Sequence, residues 1–170
     1  IINYSSISQI QKLVSSDRGS IDLFGNSVSI SGDYVIIGAN GEDQDTNGLN
    51  ALSDPGSDYV FERNSNGIWI QKQKLVASDR GANDGFGFSV SISGNYALVS
   101  AHLEDEDTSG LNSLTDAGSA YVFERNSSGI WEEKQKLVAS DRGANDRFGF
   151  SVSISGNFLV IGADQEDEDT

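Results

Sequence analysis

Residues 86–101 read FGFSVSISGNYALVSA, and this stretch decides the fold. Apolar residues alternate with small or polar ones over residues 86–93, a period of two that is typical of a strand with one buried face. Gly94 and Asn95 are turn residues. The run over residues 96–101 is nearly all apolar, as expected of a strand buried on both faces. The stretch therefore predicts two short strands joined by a tight turn.

The same stretch recurs along the chain at a constant spacing. Phe86-Gly87 recurs as Phe24-Gly25 and as Phe148-Gly149, and Trp69 recurs as Trp131, each at a step of 62 residues. The chain therefore holds about two and three-quarter copies of one unit. The predicted division is residues 1–14 as the last strand of a preceding unit, 15–76 as repeat 1, 77–138 as repeat 2 and 139–170 as a partial repeat 3.

The rest of the unit reads as two further strands. In the middle copy, residues 120–125 form the predicted third strand, and residues 130–138 form the predicted fourth. Strict alternation in the fourth strand places Trp131 and Leu137 on one face. The opposite face then carries charge, which suits an outer edge strand; its residues are Glu132, Lys134 and Lys136.

Four antiparallel strands in each repeat, with loops at both ends, predict an all-β fold built from β-propeller-type blades. The sequence contains no sustained apolar period of 3.6 residues, so helix is expected to be nearly absent. Tandem β-sandwich units are the structural alternative. Fewer than three blades cannot close a propeller. The chain is therefore expected to be part of a larger propeller, or to be completed by neighbouring copies as a ring or filament.

Charge and composition exclude several classes of function. The chain has 170 residues, a net charge of −15 and no cysteine. Such acidity argues against a nucleic-acid partner and against anionic membranes, and it favours cationic partners or divalent metal. The absence of cysteine rules out a zinc–thiolate site and a thiol nucleophile. No apolar run approaches the length of a membrane span, so no membrane insertion is predicted.

The most acidic segments are candidate metal loops. Each repeat carries Glu, Asp and Asp at offsets 0, 1 and 3 after the second strand, and calcium prefers six to eight oxygen ligands of this kind. A solvated loop that keeps the β-surface soluble is an equally weighted alternative. The candidate calcium ligands are Glu42, Asp43, Asp45, Glu104, Asp105, Asp107, Glu166, Asp167 and Asp169. Further oxygens could come from Asn50 or Asn112 and from Asp54 or Asp116.

Two other features bear on chemistry. Asp79 and Arg80 recur in each repeat and are interpreted as a structural turn with a local ion pair. His102 is the only histidine, and its equivalents are Asn40 and Asp164, so no imidazole recurs. Because near-identical repeats offer the same acids several times, the pattern favours a scaffold over a single catalytic centre. A propeller hydrolase or lyase is the alternative from the enzyme class.

Taken together, the phased motifs resemble the FG-GAP repeat, in its bacterial and environmental subgroup. The resemblance implies a β-propeller, usually of seven blades, in extracellular proteins that bind proteins or sugars rather than catalyse. Two departures stand out: the short connection between the first two strands has no room for the calcium loop of integrin-type repeats, and no proline occupies the Gly-Ala-Pro position. The matching residues are Phe24-Gly25 with Gly38-Ala39-Asn40, Phe86-Gly87 with Ser100-Ala101-His102, and Phe148-Gly149 with Gly162-Ala163-Asp164.

The sequence and the resemblance together predict a non-enzymatic module for adhesion, binding or assembly, located outside the cell or at its surface. Calcium is the candidate stabilising ion. The expected partners are other copies of the chain or further repeats of it, together with an extracellular protein or glycan ligand. A self-assembling ring or filament subunit is the alternative within the same fold.

Overall fold

The computed structural model describes residues 8–49 and 51–167. Within them the chain forms ten β-strands and no helix, as the period-two pattern predicts. The strands are β1 (Val28–Ser31), β2 (Tyr34–Ala39), β3 (Ser57–Arg63), β4 (Trp69–Leu75), β5 (Val90–Ser93), β6 (Tyr96–Ala101), β7 (Ser119–Arg125), β8 (Trp131–Leu137), β9 (Ser151–Ser155) and β10 (Phe158–Gly162).

The strands form three separate antiparallel sheets in chain order. β1 to β4 make the first sheet, β5 to β8 make the second, and β9 with β10 make a two-stranded third sheet. This confirms the predicted unit of four antiparallel strands. In the middle repeat β6 has the predicted bounds, whereas β5 begins at Val90 rather than at Phe86. The backbone of Phe86 instead forms an isolated bridge to Gly56, the residue before β3.

A β-bulge changes which side chains share a face in the fourth strand. Glu133 and Gln135 pair with two consecutive residues of β7, so Lys134 is an extra residue between them. One inserted residue reverses the facing of everything beyond it. Lys136 therefore lies opposite Tyr121, on the packed face. Its predicted place on an outward charged face with Lys134 is wrong for this reason.

The same bulge separates the two residues predicted to lie together. Trp131 pairs with Arg125, on the face that carries Tyr121. Leu137 pairs with Ala120, on the opposite face. Strict alternation along the strand could not show this, because the sequence contains no marker for the inserted residue.

Neighbouring sheets meet along their inner strands through a row of serines. The Ser29 Oγ of β1 accepts a hydrogen bond of 3.1 Å from the Ile92 N–H of β5, and the Ser91 Oγ of β5 accepts one of 3.0 Å from the Ile154 N–H of β9. We call this row the serine ladder. Its other bonds run from Val90 N to Ser27 Oγ, Gly94 N to Ser31 Oγ, Val152 N to Ser89 Oγ and Gly156 N to Ser93 Oγ.

Because the inner strands lie side by side, the sheets fan out as blades and do not close into a ring within the described residues. The arrangement is an incomplete propeller. The main core fills the space between the first two sheets, with Ile36 and Val60 on one side and Val90, Tyr121 and Trp131 on the other.

The Phe-Gly pairs mark the closest approach between sheets. Gly56 has a φ of +84°, and a Cβ there would overlap the Phe86 carbonyl oxygen. Gly118 meets Phe148 in the same way. Glycine is required at both positions because the left-handed backbone and the contact each exclude a side chain.

The N-terminal segment departs from the prediction. Residues 8–14 form no strand, because the described residues offer no third strand of a preceding sheet for them to pair with. The segment nevertheless packs as that fourth strand would. The Gln11 amide brackets the backbone of Trp69 with two hydrogen bonds of 2.9 Å, just as Gln73 brackets Trp131.

Candidate functional site: the loop face

All the long loops emerge at one end of the sheets, because the strands alternate in direction. We define the loop face as the loops after the second strand (40–56 and 102–118) and the loops before each Phe-Gly pair (76–85 and 138–147). Arginines join these loops across neighbouring sheets. Arg80 Nη2 donates to the Asp43 carbonyl oxygen at 3.0 Å, and Arg142 donates to the Asp105 carbonyl oxygen at 2.7 Å.

This geometry revises the interpretation of the Asp79-Arg80 turn. Asp79 pairs with Lys136 at 2.7 Å, on the fourth strand of its own sheet. Arg80 reaches back to the loop of the preceding sheet. The two adjacent residues therefore serve different partners, and the turn clamps one sheet to the next.

The first acid of each acidic loop is buried in an ion-pair network. Glu104 is almost wholly buried, 2.9 Å from Lys136 Nζ, and it accepts a hydrogen bond of 2.6 Å from Ser119 Oγ. The Tyr121 hydroxyl donates to Asp79 at 2.9 Å. Burial alone would lower the pKa of Lys136, but the hydrogen bonds to Asp79 and Glu104 outweigh it and hold that pKa above its ordinary value. In the first repeat Lys74 likewise bridges Glu42 and Asp17, but the Tyr59 hydroxyl donates to Glu42, at 3.2 Å.

The remaining acids close the loops on themselves. Asp105 Oδ1 accepts from the Asp116 N–H at 2.8 Å, which ties the two ends of the loop together. Asp107 Oδ1 accepts from both the N–H and the hydroxyl of Ser109, at 2.8 and 2.6 Å. These bonds and one from the Asn112 amide hold the pKa of Asp107 well below its ordinary value. The first repeat has the corresponding backbone bonds: the Asp54 N–H donates to Asp43 Oδ1, and the N–H groups of Asn47 and Leu49 donate to Asp45 Oδ1.

These contacts bear directly on the calcium prediction. Among residues 8–49 and 51–167, no group of three or more Asp, Glu or His side chains is placed to hold a metal ion. Ion pairs and backbone N–H groups engage the predicted ligands of the first two loops. Glu166 and Asp167 are exposed in the third loop, whereas Asp169 and Asn50 lie outside the described residues. Calcium binding stays a prediction.

An open groove of about 630 Å³ runs between the two acidic loops. Ala51 and Leu52 of the first acidic loop line it with apolar side chains, and Glu106 of the second loop lines it with a carboxylate. Asp79 and Arg80 also line it. The groove therefore offers an apolar surface beside charges of both signs.

A smaller polar cavity of about 210 Å³ lies beside it, bordered by Asp84. Burial raises the pKa of Asp84 to about 6. The hydrogen bond from the Gly81 N–H opposes that rise, and the nearby Glu104, Asp79 and Asp105 add to it.

His102 is buried between the second and third sheets. Its ring stacks on Phe88 with a centroid distance of 3.7 Å and meets the edge of Phe150 at 6.0 Å. Its Nδ1 has no hydrogen-bond partner among the described residues. Burial lowers the pKa of His102 to about 4, helped by the charge of Arg147 and opposed by that of Asp164. His102 is therefore a packing residue at the junction between the two sheets.

Asp58 is a buried acid that sequence reasoning missed. It is fully buried in β3, and neither carboxylate oxygen has a hydrogen-bond partner in the described chain. Burial raises its pKa well above the ordinary value. The Asp58 carboxylate lies against Gly87, which leads into the next sheet. The residue of the second repeat that is equivalent to Asp58 is Ala120. The two repeats differ at this position, and that difference is the sequence signal that could have identified Asp58.

Four-stranded antiparallel sheets, fanned about their inner strands and clamped at one end by long loops, define a propeller-type repeat protein. The chain belongs to the FG-GAP repeat family, whose family model matches residues 7–61, 69–123 and 131–170. The second and third matches begin at the first residue of a fourth strand, and the first two end within the third strand of the next sheet. The sequence unit therefore spans two sheets.

No curated protein matches the chain in a sequence search. Among the described residues, no helix is long and apolar enough to cross a membrane. FG-GAP repeats are typical of extracellular proteins and of binding or adhesion modules rather than of enzymes.

Proposed function

We propose that this chain is a non-enzymatic binding module of an extracellular or cell-surface protein, and that its ligand is an extracellular protein or glycan bound on the loop face. The observation that carries the proposal is the groove between the two acidic loops, where the lining residue Arg80 is hydrogen-bonded to the first loop. Loops held by a rigid β-scaffold are where binding sites concentrate.

The groove has the composition of a recognition surface. Leu52 supplies apolar area, while Glu106 and Asp79 supply acceptors, and pockets that combine apolar walls with a few polar groups are typical ligand sites. The clamps limit how far the loops can move, which lowers the entropy lost on binding. The groove is lined by residues of two repeats, so its ligand would contact both repeats rather than a single blade.

Binding of the full chain to a glycan array and to a panel of extracellular matrix proteins tests this proposal. Leu52→Arg combined with Glu106→Lys is expected to weaken capture at least about tenfold, since both substitutions remove groove contacts. The matched control, Asn66→Arg with Ser127→Lys, changes exposed turns at the opposite end and is expected to leave binding unchanged. Equal capture by both variants would show that the ligand does not bind on the loop face.

Calcium remains part of the proposal as a stabiliser of the acidic loops. The support is the repeated acidic pattern and the net charge of −15, which a divalent cation would relieve. Millimolar calcium is expected to raise the melting temperature by a few degrees relative to chelator, with magnesium as the control. An identical melting temperature in calcium and chelator would remove calcium from the proposal.

A further inference from the structure

Equivalent residues on the inner strands differ sharply in exposure. Val28 and Ile30 of β1 are 64% and 63% exposed, whereas their equivalents Val90 and Ile92 of β5 are 6% and 5% exposed. The difference is the neighbour, since β5 lies beside β1 and no described strand lies on the outer side of β1. One face of the first sheet is therefore an apolar surface of the kind that another sheet covers.

The opposite end of the molecule shows the complementary difference. Ile36 of β2 and its equivalent Leu98 of β6 are both 0% exposed, because each faces the next sheet. Their equivalent in β10, Val160, is 70% exposed, and Phe158 in the same strand is 81% exposed. Singly exposed apolar residues are ordinary. Here, however, the position of Val160 is one that the repeat buries wherever a neighbouring sheet is present.

The serine ladder adds a polar row to both surfaces. Ser151, Ser153 and Ser155 of β9 are exposed, while the equivalent serines of β1 and β5 each accept an N–H from the next sheet. On β1 the N–H groups of Val28 and Ile30 face outward, because β1 and β5 pair with their second strands in the same register. No serine within the described residues serves these two groups.

We propose that the chain self-associates head to tail, with β1 of one copy beside β9 of a second copy in a third instance of the serine ladder. A second copy is the fitting partner because its exposed β9 serine hydroxyls can accept the outward N–H groups of β1, and its apolar row continues that of β1, at the spacing already used twice within the chain. The interface continues an existing one rather than requiring a new one. The contact joins two different surfaces, so it builds a ring if the rotation closes and a filament if it does not.

Neither row carries charge, which suits a contact between copies of an acidic protein. β1 reads VSIS and β9 reads SVSIS. The acids concentrate instead on the loop face, away from this contact. Like-charge repulsion between copies is therefore weakest along the inner strands.

Sedimentation and light scattering of the full 170-residue chain test the proposal. The weight-average mass is expected to rise with concentration above the 18.1 kDa of the monomer. The triple substitution Ser151→Ala, Ser153→Ala and Ser155→Ala is expected to weaken association at least about tenfold, through three lost hydrogen bonds. The control replaces three exposed loop serines, Ser65, Ser113 and Ser127, with alanine and is expected to associate normally. An 18.1 kDa monomer at every soluble concentration would overturn the proposal.

Because the chain has no cysteine, engineered disulfides can map the contact. Ser153→Cys in one copy and Ile30→Cys in another are the intermolecular equivalents of Ser29 and Ile92, and a mixture of the two variants is expected to form a disulfide-linked dimer. The double variant Ser29→Cys with Ile92→Cys, which closes within one chain, calibrates the geometry.

A mixture of Ser153→Cys with Asn66→Cys is the control for random collision. If the intramolecular bond forms but the Ser153→Cys and Ile30→Cys mixture crosslinks no faster than this control, the proposed register is wrong. Circular dichroism of each variant verifies that the monomer remains folded.

Discussion

The corresponding faces of the first and second sheets carry the same residues in different surroundings. On the second sheet Phe86 is 0% exposed and Trp131 is 2% exposed, because the first sheet covers them. On the first sheet the equivalent Phe24 and Trp69 are only partly buried, since the segment 8–16 covers that face incompletely. The comparison teaches that burial in this fold is set by the neighbouring sheet and not by the residue.

In the ion-pair network, by contrast, equivalent residues of the two repeats are buried to nearly the same extent. Lys74 and Lys136 have side chains that are 6% and 9% exposed, and each bridges a glutamate and an aspartate. A tyrosine ring also lies beside each lysine, Tyr59 at 5.5 Å from Lys74 and Tyr121 at 5.7 Å from Lys136. The lysine ion pairs thus form within each repeat, whereas the burial of the aromatic residues depends on a neighbouring sheet. Substitutions can distinguish these two kinds of contact.

The largest expected effect concerns the contacts within a repeat. Lys136→Met leaves Glu104 and Asp79 close together and unpaired, so we expect a loss of about 3–5 kcal/mol in the free energy of unfolding. Lys74→Met is expected to cost the same amount. Urea denaturation of both variants measures the loss, and the exposed Lys134→Met serves as control. Unequal losses at the two lysines would mean that the network also depends on the neighbouring sheet.

Contacts between sheets are expected to give unequal effects. Phe86→Ala removes a ring packed at 5.4 Å on Tyr121, inside the closed core, and should cost about 3 kcal/mol. Phe24→Ala removes a similar contact, with Tyr59 at 5.5 Å, from a partly open face and should cost at least about 1 kcal/mol less. Urea denaturation at low protein concentration measures both. Equal losses would show that the first sheet is as well covered as the second.

Much of the fold was predictable because the repeat is nearly exact. The pattern of β6 and the turn residues around Gly94 and Asn95 repeat in phase, which predicts strands, turns and loops in order. The position of Lys136 was not predictable, because a bulge leaves no mark in the apolar pattern. The serine ladder was missed for a related reason: alternating serines look like an exposed face until a second sheet is placed against them.

The candidate site was predictable only in part. The acidic loops and the Asp79-Arg80 turn were recognised, and both lie on the loop face. Their partners were not, since Lys136 reaches Glu104 across the sheet and Arg80 reaches a loop 37 positions earlier in the chain. Pairings between distant residues depend on tertiary packing, which a local pattern does not contain.

The first sheet junction has a buried acid where the second has alanine, and exchanging the two residues should invert the difference in stability. Asp58→Ala removes a buried acid without a partner, so we expect a gain of about 2–3 kcal/mol at neutral pH, and Ala120→Asp should cause a comparable loss. Burial raises the pKa of Asp58, so the folded state holds its proton to higher pH than the unfolded state does. Stability from this group is present at low pH and is lost as pH rises, and the gain in Asp58→Ala should therefore grow with pH.

Chemical denaturation at several pH values measures that gain. A constant benefit from pH 4 to pH 8 would show that the Asp58 carboxyl does not titrate differently in the folded and unfolded states.

The smallest expected effect is the acid sensitivity of the second junction, which carries His102 where the first carries Asn40. The pKa of His102 is lowered to about 4 by burial, from an ordinary 6.5. As pH falls through 6.5 the unfolded state takes up a proton that the folded state refuses, so stability decreases until about pH 4 and then levels off. His102→Asn is expected to remove about 1–2 kcal/mol of the loss between pH 7 and pH 5. Asn40→His should introduce a similar loss at the first junction, and an unchanged pH profile in both variants would show that neither junction excludes the charged imidazole.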